Sequence, residues 1–485
     1  MRSALVYALG FLALYGCASA PGYQSPAVRA PASFRAIGDS SDRSRSTPYV
    51  RTKTGETSTA PADRPAASIS LDYWERLGDT TLSRLIGDVQ RANLDVQAAR
   101  ARASAAHSDK VRAALDLTPS ATVAGGYTRQ RLSSASFPGV SGVFPDQNVW
   151  DAGVVASWDL DIFGRIRQNV QAQGALEGVA EEDLRGAQVT LTAELARAYF
   201  ELRGSQEQLE VARHSAENQQ RTVELTRERL TAGRGSSFDV ERAQAQLSST
   251  LATIPAREAE VAAAQYRIGT LIGRSPTEVA GELEQAAPVP PLPDLTTIGN
   301  PADVVRYRPD VAAAERQTAA QGALVGVAKA SYLPRLTLGA TAGYTAPDFN
   351  SVGNQATTRY VIGPVITWPA LNLGRVKAEV DAAAAREDAA RAQYNRVVLA
   401  AMEDLETTLV RYRSARQALE RLAEASAASD RAAQLARLRF REGMTDLLQV
   451  LDAERTLLFA QDRLAQGRVD AGTAYAALYR AVGGK

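Results

Sequence analysis

Trp150–Arg165, WDAGVVASWDLDIFGR, is the stretch whose reading decides the fold. Side chains alternate along a strand, so Trp150, Ala152, Val154, Ala156 and Trp158 share one face while Asp151, Gly153, Val155, Ser157 and Asp159 share the other. An apolar face about nine residues tall with an indole at each end fits a strand that crosses a bilayer with rings at both interfaces. Gly164-Arg165 then opens a very long stretch of helical composition. The plan recurs at Tyr360–Arg375, YVIGPVITWPALNLGR, where Tyr360, Ile362, Pro364, Ile366 and Trp368 fall on one face. One copy alone reads more simply as a strand of a soluble sandwich. A strand running into a long helix twice over is the feature that the rest builds on.

The 485 residues supply ample apolar material for a core. A net charge of +1 offers no global attraction for nucleic acid or acidic membranes, and no nucleic-acid partner is expected. Two histidines, three methionines and one cysteine leave little for a metal site or a catalytic triad, so no cofactor is expected. His107 and His214 lie in helical stretches without acid or thiol at ligand or triad spacing and read as surface residues. No P-loop, no GxGxxG after a strand and no HExxH is present, which argues against an enzyme. Past the N-terminus no run approaches the roughly 18 apolar residues of a spanning helix, so any membrane crossing is made by strands.

Arg2 and the apolar run Ala4–Tyr15 read as a secretory signal over residues 1–16. It ends at Cys17, the lone cysteine, which has no internal disulfide partner. Residues 17–68, rich in Pro, Ser, Thr, Ala and Arg without apolar period, read as an extended tether along the outside of the folded body.

The two halves match at a fixed offset. Trp158 pairs with Trp368, Arg227 with Arg437, Gly233 with Gly443, Val240 with Val450, Leu247 with Leu457 and Gly273 with Gly483, each 210 positions on. Upstream the offset is 215, matching Asp95 to Asp310 and Pro119 to Pro334. Chance explains single matches but not a register this long, so the chain is duplicated. The first repeat is expected over 69–273, with helices in 79–115, strands 119–130 and 147–159, a long helix 164–231 and a helix 237–273. A Pro-rich connection, 274–308, leads to the second repeat, 309–485. There the expectation is helix 309–331, strands 334–345 and 358–369, long helix 374–441 and helix 446–482.

About 67 residues of helix at 1.5 Å each is roughly 100 Å, far beyond a globular helix. Leu184, Leu191, Leu195, Ala198, Leu202 and Leu209 are spaced as a coiled-coil seam. Four strands cannot close a barrel, and an open edge in lipid leaves backbone groups unsatisfied, so closure must come from other copies. The expected fold class is therefore mainly α with membrane β. Each chain gives four strands to a homotrimeric twelve-stranded barrel, continued on one side by a long α-helical barrel. A detached coiled-coil envelope rod is the rival, and it does not account for aromatic-bounded strands.

RERLTAGRGSSFDVERAQ (227–244) and RLRFREGMTDLLQVLDAER (437–455) share a helix stop and restart. Gly233 and Gly443 suit left-handed C-caps, Ser236 with Asp239 suits a capping box, and Asp446 suits the second cap. Both breaks lie about 100 Å from the strands, at the far mouth of a tube, where a gate and a partner's docking site belong.

The chain resembles the TolC-like outer-membrane factors, in particular the lipoprotein branch that serves multidrug efflux pumps. The segments that carry the resemblance are the Leu14-Tyr15-Gly16-Cys17 lipobox, PGYQSPAV at 21–28 and Trp74 through Leu94-Asp95. With them go Arg308-Pro309-Asp310, Ala314-Glu315-Arg316 and the paired motifs at 229–233 and 439–443. The resemblance implies lipidation at Cys17 and release to the outer membrane of a Gram-negative cell, with the helical barrel in the periplasm. It implies a passive duct that engages a periplasmic adaptor and an inner-membrane RND-type transporter. By position, Asp452 and Gln449 stand where acidic rings narrow the closed mouth, and Asp239, Phe440 and Thr445 where contacts hold it. Gly233, Arg234, Gly235, Gly443 and Met444 stand at the adaptor-docking tips. An aromatic girdle is expected of Trp150, Trp158, Tyr360, Trp368, Tyr127 and Tyr344. Export of proteins or of metal ions is the alternative within the same architecture.

Overall fold

The computed structural model describes residues 72–133, 142–293 and 301–484. The expected signal, Cys17 and the 17–68 tether lie outside these residues. Helix α1 (Asp72–Glu75) leads through α2 (Thr80–Ala92) and α3 (Leu94–Leu115) to strands β1 (Ser120–Gln130) and β2 (Gln147–Leu160). Then come α4 (Arg165–Thr231), α5 (Ser237–Leu251) and α6 (Ile254–Leu271). Short helices α7 (Pro276–Glu282) and α8 (Pro301–Tyr307) cross to the second half. That half holds α9 (Pro309–Ala330), β3 (Arg335–Ala346), β4 (Thr358–Thr367), α10 (Leu373–Arg441) and α11 (Leu447–Ala481). The strands form one antiparallel sheet in the order β1-β2-β3-β4, which leaves β1 and β4 as edges.

Helices α4 and α10 run for 67 and 69 residues, each about 100 Å at 1.5 Å per residue. The duplication reaches the backbone. Gly233, Gly273, Gly443 and Gly483 all take left-handed φ, at 71°, 67°, 74° and 80°. In each case the following N–H bonds the carbonyl five residues back: Arg234 to Arg229, Arg274 to Gly269, Met444 to Arg439 and Gly484 to Tyr479. Four Schellman ends at matched positions stop four helices where only glycine avoids Cβ strain.

One sequence expectation needs correction, the unbroken helix over 237–273, and two gain detail. The helical stretch 79–115 is two helices, because Asn93 leaves the helical region and its side-chain oxygen caps α3 through the N–H groups of Asp95 and Val96. Its amide donates to the Leu271 carbonyl at 2.7 Å, so the break also ties α3 to α6. The helix expected over 237–273 is interrupted between Leu251 and Ile254. Pro255 sits in the first turn of α6, lacks an N–H and would clash with the carbonyl of Leu251 in a continuous helix. Its repeat mate is Ala465, and α11 runs unbroken. The connection 274–308 carries helices α7 and α8 among its described residues.

The main core lies at the equator, where α1 and α2 pack on the ends of α6 and α11 and on the middle of α4. Tyr73 stacks on Tyr475 with ring centroids 4.5 Å apart, and each hydroxyl donates to the other residue's carbonyl at 3.1 Å. Trp74 is buried against the same pair. Arg308 joins Asp310 at 2.9 Å, Asp404 at 2.9 Å and the carbonyl of Ala481 at 3.0 Å. Burial pushes the Arg308 guanidinium down, but Asp310 and Asp404 outweigh it and hold it above its ordinary value. The Trp74 and Arg308-Pro309-Asp310 segments thus fasten the chain's waist. Of the expected seam on α4, Leu191, Leu195, Ala198 and Leu202 are buried, while Leu184 and Leu209 are partly so.

Candidate functional site: a two-faced sheet and a helical tip

Strand register sorts the sheet's side chains by chemistry. Tyr127 lies opposite Trp150, Val123 opposite Val154 and Ala121 opposite Ala156. Across β2 and β3, Ala152 meets Tyr344, Ala156 meets Ala340 and Trp158 meets Leu338. Across β3 and β4, Ala342 meets Tyr360, Ala340 meets Ile362, Leu338 meets Pro364 and Leu336 meets Ile366. Directly opposed residues share a face, so these residues make one apolar, aromatic surface over all four strands. Val123, Tyr360, Ile362 and Ile366 on it are strongly exposed.

The other face is polar. Asp159 accepts from the Thr337 hydroxyl at 2.6 Å and pairs with Arg165 at 3.3 Å. Asp151 accepts from the Thr345 hydroxyl at 2.6 Å and pairs with Arg359 at 3.3 Å. Gly153 and Gly343 oppose each other at its centre.

Of the six aromatic residues nominated for a girdle, Tyr127, Trp150, Trp158, Tyr344 and Tyr360 fall on the apolar side by register, and Trp368 directly follows β4. Tyr127 and Trp150 touch with centroids 4.6 Å apart. Trp158 donates its indole N–H to the Leu117 carbonyl at 2.9 Å, and Trp368 donates to Tyr332 at 3.0 Å. Leu117 and Tyr332 are themselves repeat mates, so each indole is pinned to the helix–strand corner of its own half. Sequence reasoning missed Phe349, which lies 5.2 Å from Trp150. It sits in the β3–β4 loop, where no alternation marks it.

At the other end, the α4–α5 and α10–α11 turns share a core of Val223, Leu247, Phe440, Leu447, Val450 and Leu451. Burying a side chain of this kind contributes about 1.5–3 kcal/mol. Phe440 belongs to this core, and its ring lies 4.3 Å beneath the Arg229 guanidinium. Arg229 Nη2 also donates to the Phe440 carbonyl at 2.7 Å. Asp239 closes a reciprocal capping box with Ser236, so its carboxylate is spent on starting α5. Asp446 caps α11 through the Gln449 N–H at 3.0 Å. Thr445 donates its hydroxyl to Gln449 Oε1 at 2.5 Å. Asp452 is exposed and pairs with Arg455 on the same helix at 2.7 Å. Gly233, Arg234, Gly235 and Met444 stand exposed at the turns, with Gly443 beside Arg229.

A second tie went unread in the sequence. Glu454 is buried, with Arg437 Nε at 2.8 Å and the Thr222 hydroxyl at 3.2 Å, which joins α4, α10 and α11. The signal was present in the repeat: the mates Arg227 and Gln244 bond at 2.9 Å in the first half. Among the described residues no helix is long and apolar enough to cross a membrane, and no three His, Cys, Asp or Glu side chains gather as a metal site.

Strands with one lipid-suited face, joined to helices about 100 Å long, define an outer-membrane channel extended by a helical tube. Residues 85–274 and 301–484 match the family described as Outer membrane efflux protein, and the chain belongs to that family. It is similar to the outer-membrane channel OprN, with TM-score 0.82 and 35% identity over 97% of this chain and 99% of that one. It is 29% identical to the pyoverdine export outer membrane protein OpmQ of Pseudomonas aeruginosa, covering 87% of this chain and 89% of that protein. It is 28% identical to the toluene efflux pump outer membrane protein TtgF of Pseudomonas putida, covering 98% and 95%. The protein is an outer-membrane efflux channel. Its fold is the duplicated, mainly helical one in which four strands per chain form a third of a trimeric outer-membrane barrel, with the helices continuing into the periplasm.

Proposed function

We propose that three copies of this chain form the passive exit duct of a three-component pump. A periplasmic adaptor seats on the tips at Gly233–Gly235 and Gly443-Met444, and an inner-membrane transporter of the RND type supplies the energy. The cargo is small organic molecules. The observation that carries the reading is the segregation of faces across a sheet whose two outer strands lack partners. In lipid those edges need another strand on each side, and twelve strands from three copies satisfy them.

In this reading Trp150, Tyr127, Tyr344 and Tyr360 sit at one membrane interface and Trp158 and Trp368 at the other. From Trp150 to Trp158 a strand rises about 26 Å at 3.3 Å per residue, close to the apolar height of an outer-membrane barrel. Cys17 carries the lipid that fixes the tether to the same membrane. Asp452 and Gln449 line the closed mouth, and Phe440, Thr445 and Asp239 support it from behind.

Deleting the chain from its host tests the reading. Retention of a hydrophobic dye rises and tolerance of small organic toxicants falls, and both recover when the chain is restored. Unchanged dye retention, with loss of a secreted protein or of metal tolerance instead, contradicts the proposed cargo.

A further inference from the structure

Charge is unevenly placed on the sheet. Of the residues that register puts on its apolar side, Arg129 alone is charged. It lies opposite Asn148 at the end of β1 remote from the helices, two residues beyond the Tyr127–Trp150 pair. The helices continue into the periplasm, so this end faces the outside of the cell. Arg131 follows just past the strand, and both guanidiniums meet the carboxylate of Asp146. Arg129 Nη2 donates to Asp146 Oδ2 at 3.0 Å, and Arg131 Nε donates to Asp146 Oδ1 at 2.6 Å. The periplasmic end of the same face carries Trp158, Leu160, Leu336 and Ile366 and no charge.

This cluster does little for the fold. The side chains of Arg129 and Arg131 are 67% and 58% exposed, and exposed ion pairs contribute only about 0–1 kcal/mol. A pair of guanidiniums on a single carboxylate leaves a surplus of positive charge, and each fork keeps donors beyond those given to Asp146. On the polar face near the same height, Asp151 is matched by Arg359, so the surplus belongs to the lipid-suited side. Height points the same way. Arg129 stands about 7 Å beyond Tyr127 at 3.3 Å per residue, and headgroups add about 5–7 Å on each side of the hydrocarbon. Tyr127 donates its hydroxyl to Asn148 Oδ1 at 3.0 Å, so ring, amide and guanidinium follow one another up the face. Below them Val123 is 81% exposed.

We propose that Arg129 and Arg131 bind a phosphate group on a lipid of the outer leaflet, whose acyl chains lie along Tyr127 and Val123. An arginine fork matches a phosphate in shape and charge, and charge-assisted bonds are roughly twice as strong as neutral ones. Free phosphate satisfies only the upper part of this arrangement. A phosphorylated glycolipid, with charge above and hydrocarbon below, satisfies both parts. Asp146 sets the two forks side by side and competes with the ligand for their donors. The inference rests on the membrane placement of Tyr127 and Trp150 proposed above and adds a ligand at its outer edge.

Native mass spectrometry of the full chain in detergent, titrated with diphosphorylated lipid A, tests the site. Lipid A stripped of its phosphates and inorganic phosphate are the comparison probes. The parent retains the diphosphorylated lipid, and Arg129→Gln with Arg131→Gln weakens retention at least about tenfold, the loss expected of a charge-assisted bond. The stripped lipid binds parent and variant alike, at the variant's weaker level. Asp146→Asn gives a second reading, because it releases both forks and tightens retention. A merely structural cluster predicts unchanged or weaker retention in that variant. Equal retention by parent and double variant, or of the two lipids by the parent, overturns the proposal. Displacement of the lipid by inorganic phosphate at equal concentration overturns the lipid assignment in favour of a simple anion site. Quenching of Trp150 by brominated lipid, read as the difference from Trp150→Phe, checks the membrane placement separately. No quenching removes that placement, whereas quenching with equal lipid retention removes only the phosphate site.

Discussion

Asp452 shows how one residue's role depends on what lies beside it. Its position in the second restart singled it out from the sequence, while Arg455, three residues on, drew no notice. The pair they form, 2.7 Å apart, leaves both side chains well exposed, and such pairs contribute only about 0–1 kcal/mol. With Asp452 lining the mouth as proposed, the arginine is expected to matter to ions more than to folding, because a neighbouring cation offsets the field of a carboxylate ring in a narrow bore. Single-channel recordings in planar bilayers are expected to move in opposite directions. Asp452→Ala lowers cation preference, and Arg455→Ala raises it. Equal ion preference in both variants and the parent would remove Asp452 from the mouth. Phe440 carries the converse lesson. Position alone nominated it as a contact of the gate, and its burial beneath Arg229 shows a core residue whose carbonyl does the clamping.

At the scale of elements the sequence was informative wherever a period or a glycine recorded the geometry. Alternation at Trp150–Trp158 located a membrane-suited face, and Gly233 and Gly443 located two helix ends. The breaks at Asn93 and Pro255 were less visible, since one side chain decides each. The indole bonds of Trp158 and Trp368 to corner carbonyls were unreadable, because they depend on where the chain turns. So was the close approach of Gly153 and Gly343. A Cβ on Gly343 would lie 2.3 Å from the Ala152 carbonyl oxygen, whereas one on Gly339 of the same strand would meet only the Gly363 carbonyl oxygen, at 3.9 Å. Gly343→Val therefore forces β2 and β3 apart, an overpacking cost of about 1–3 kcal/mol. The expected result is a marked loss of SDS-resistant oligomer in outer-membrane fractions. Gly339→Val, on the same inner strand, keeps it. Equal yields of the two variants would contradict the assigned strand contacts.

For the whole molecule, the polar face of the sheet carries its aspartates paired, Asp159 with Arg165 and Asp151 with Arg359. The account stands on one geometric requirement, that a sheet with two bare edges and a single lipid-suited face completes itself with other copies. Counting chains per particle tests it most directly, by measuring the mass of the detergent-solubilised protein with the detergent subtracted. Three chains per particle is the expected result; a stable particle of one chain would contradict the account.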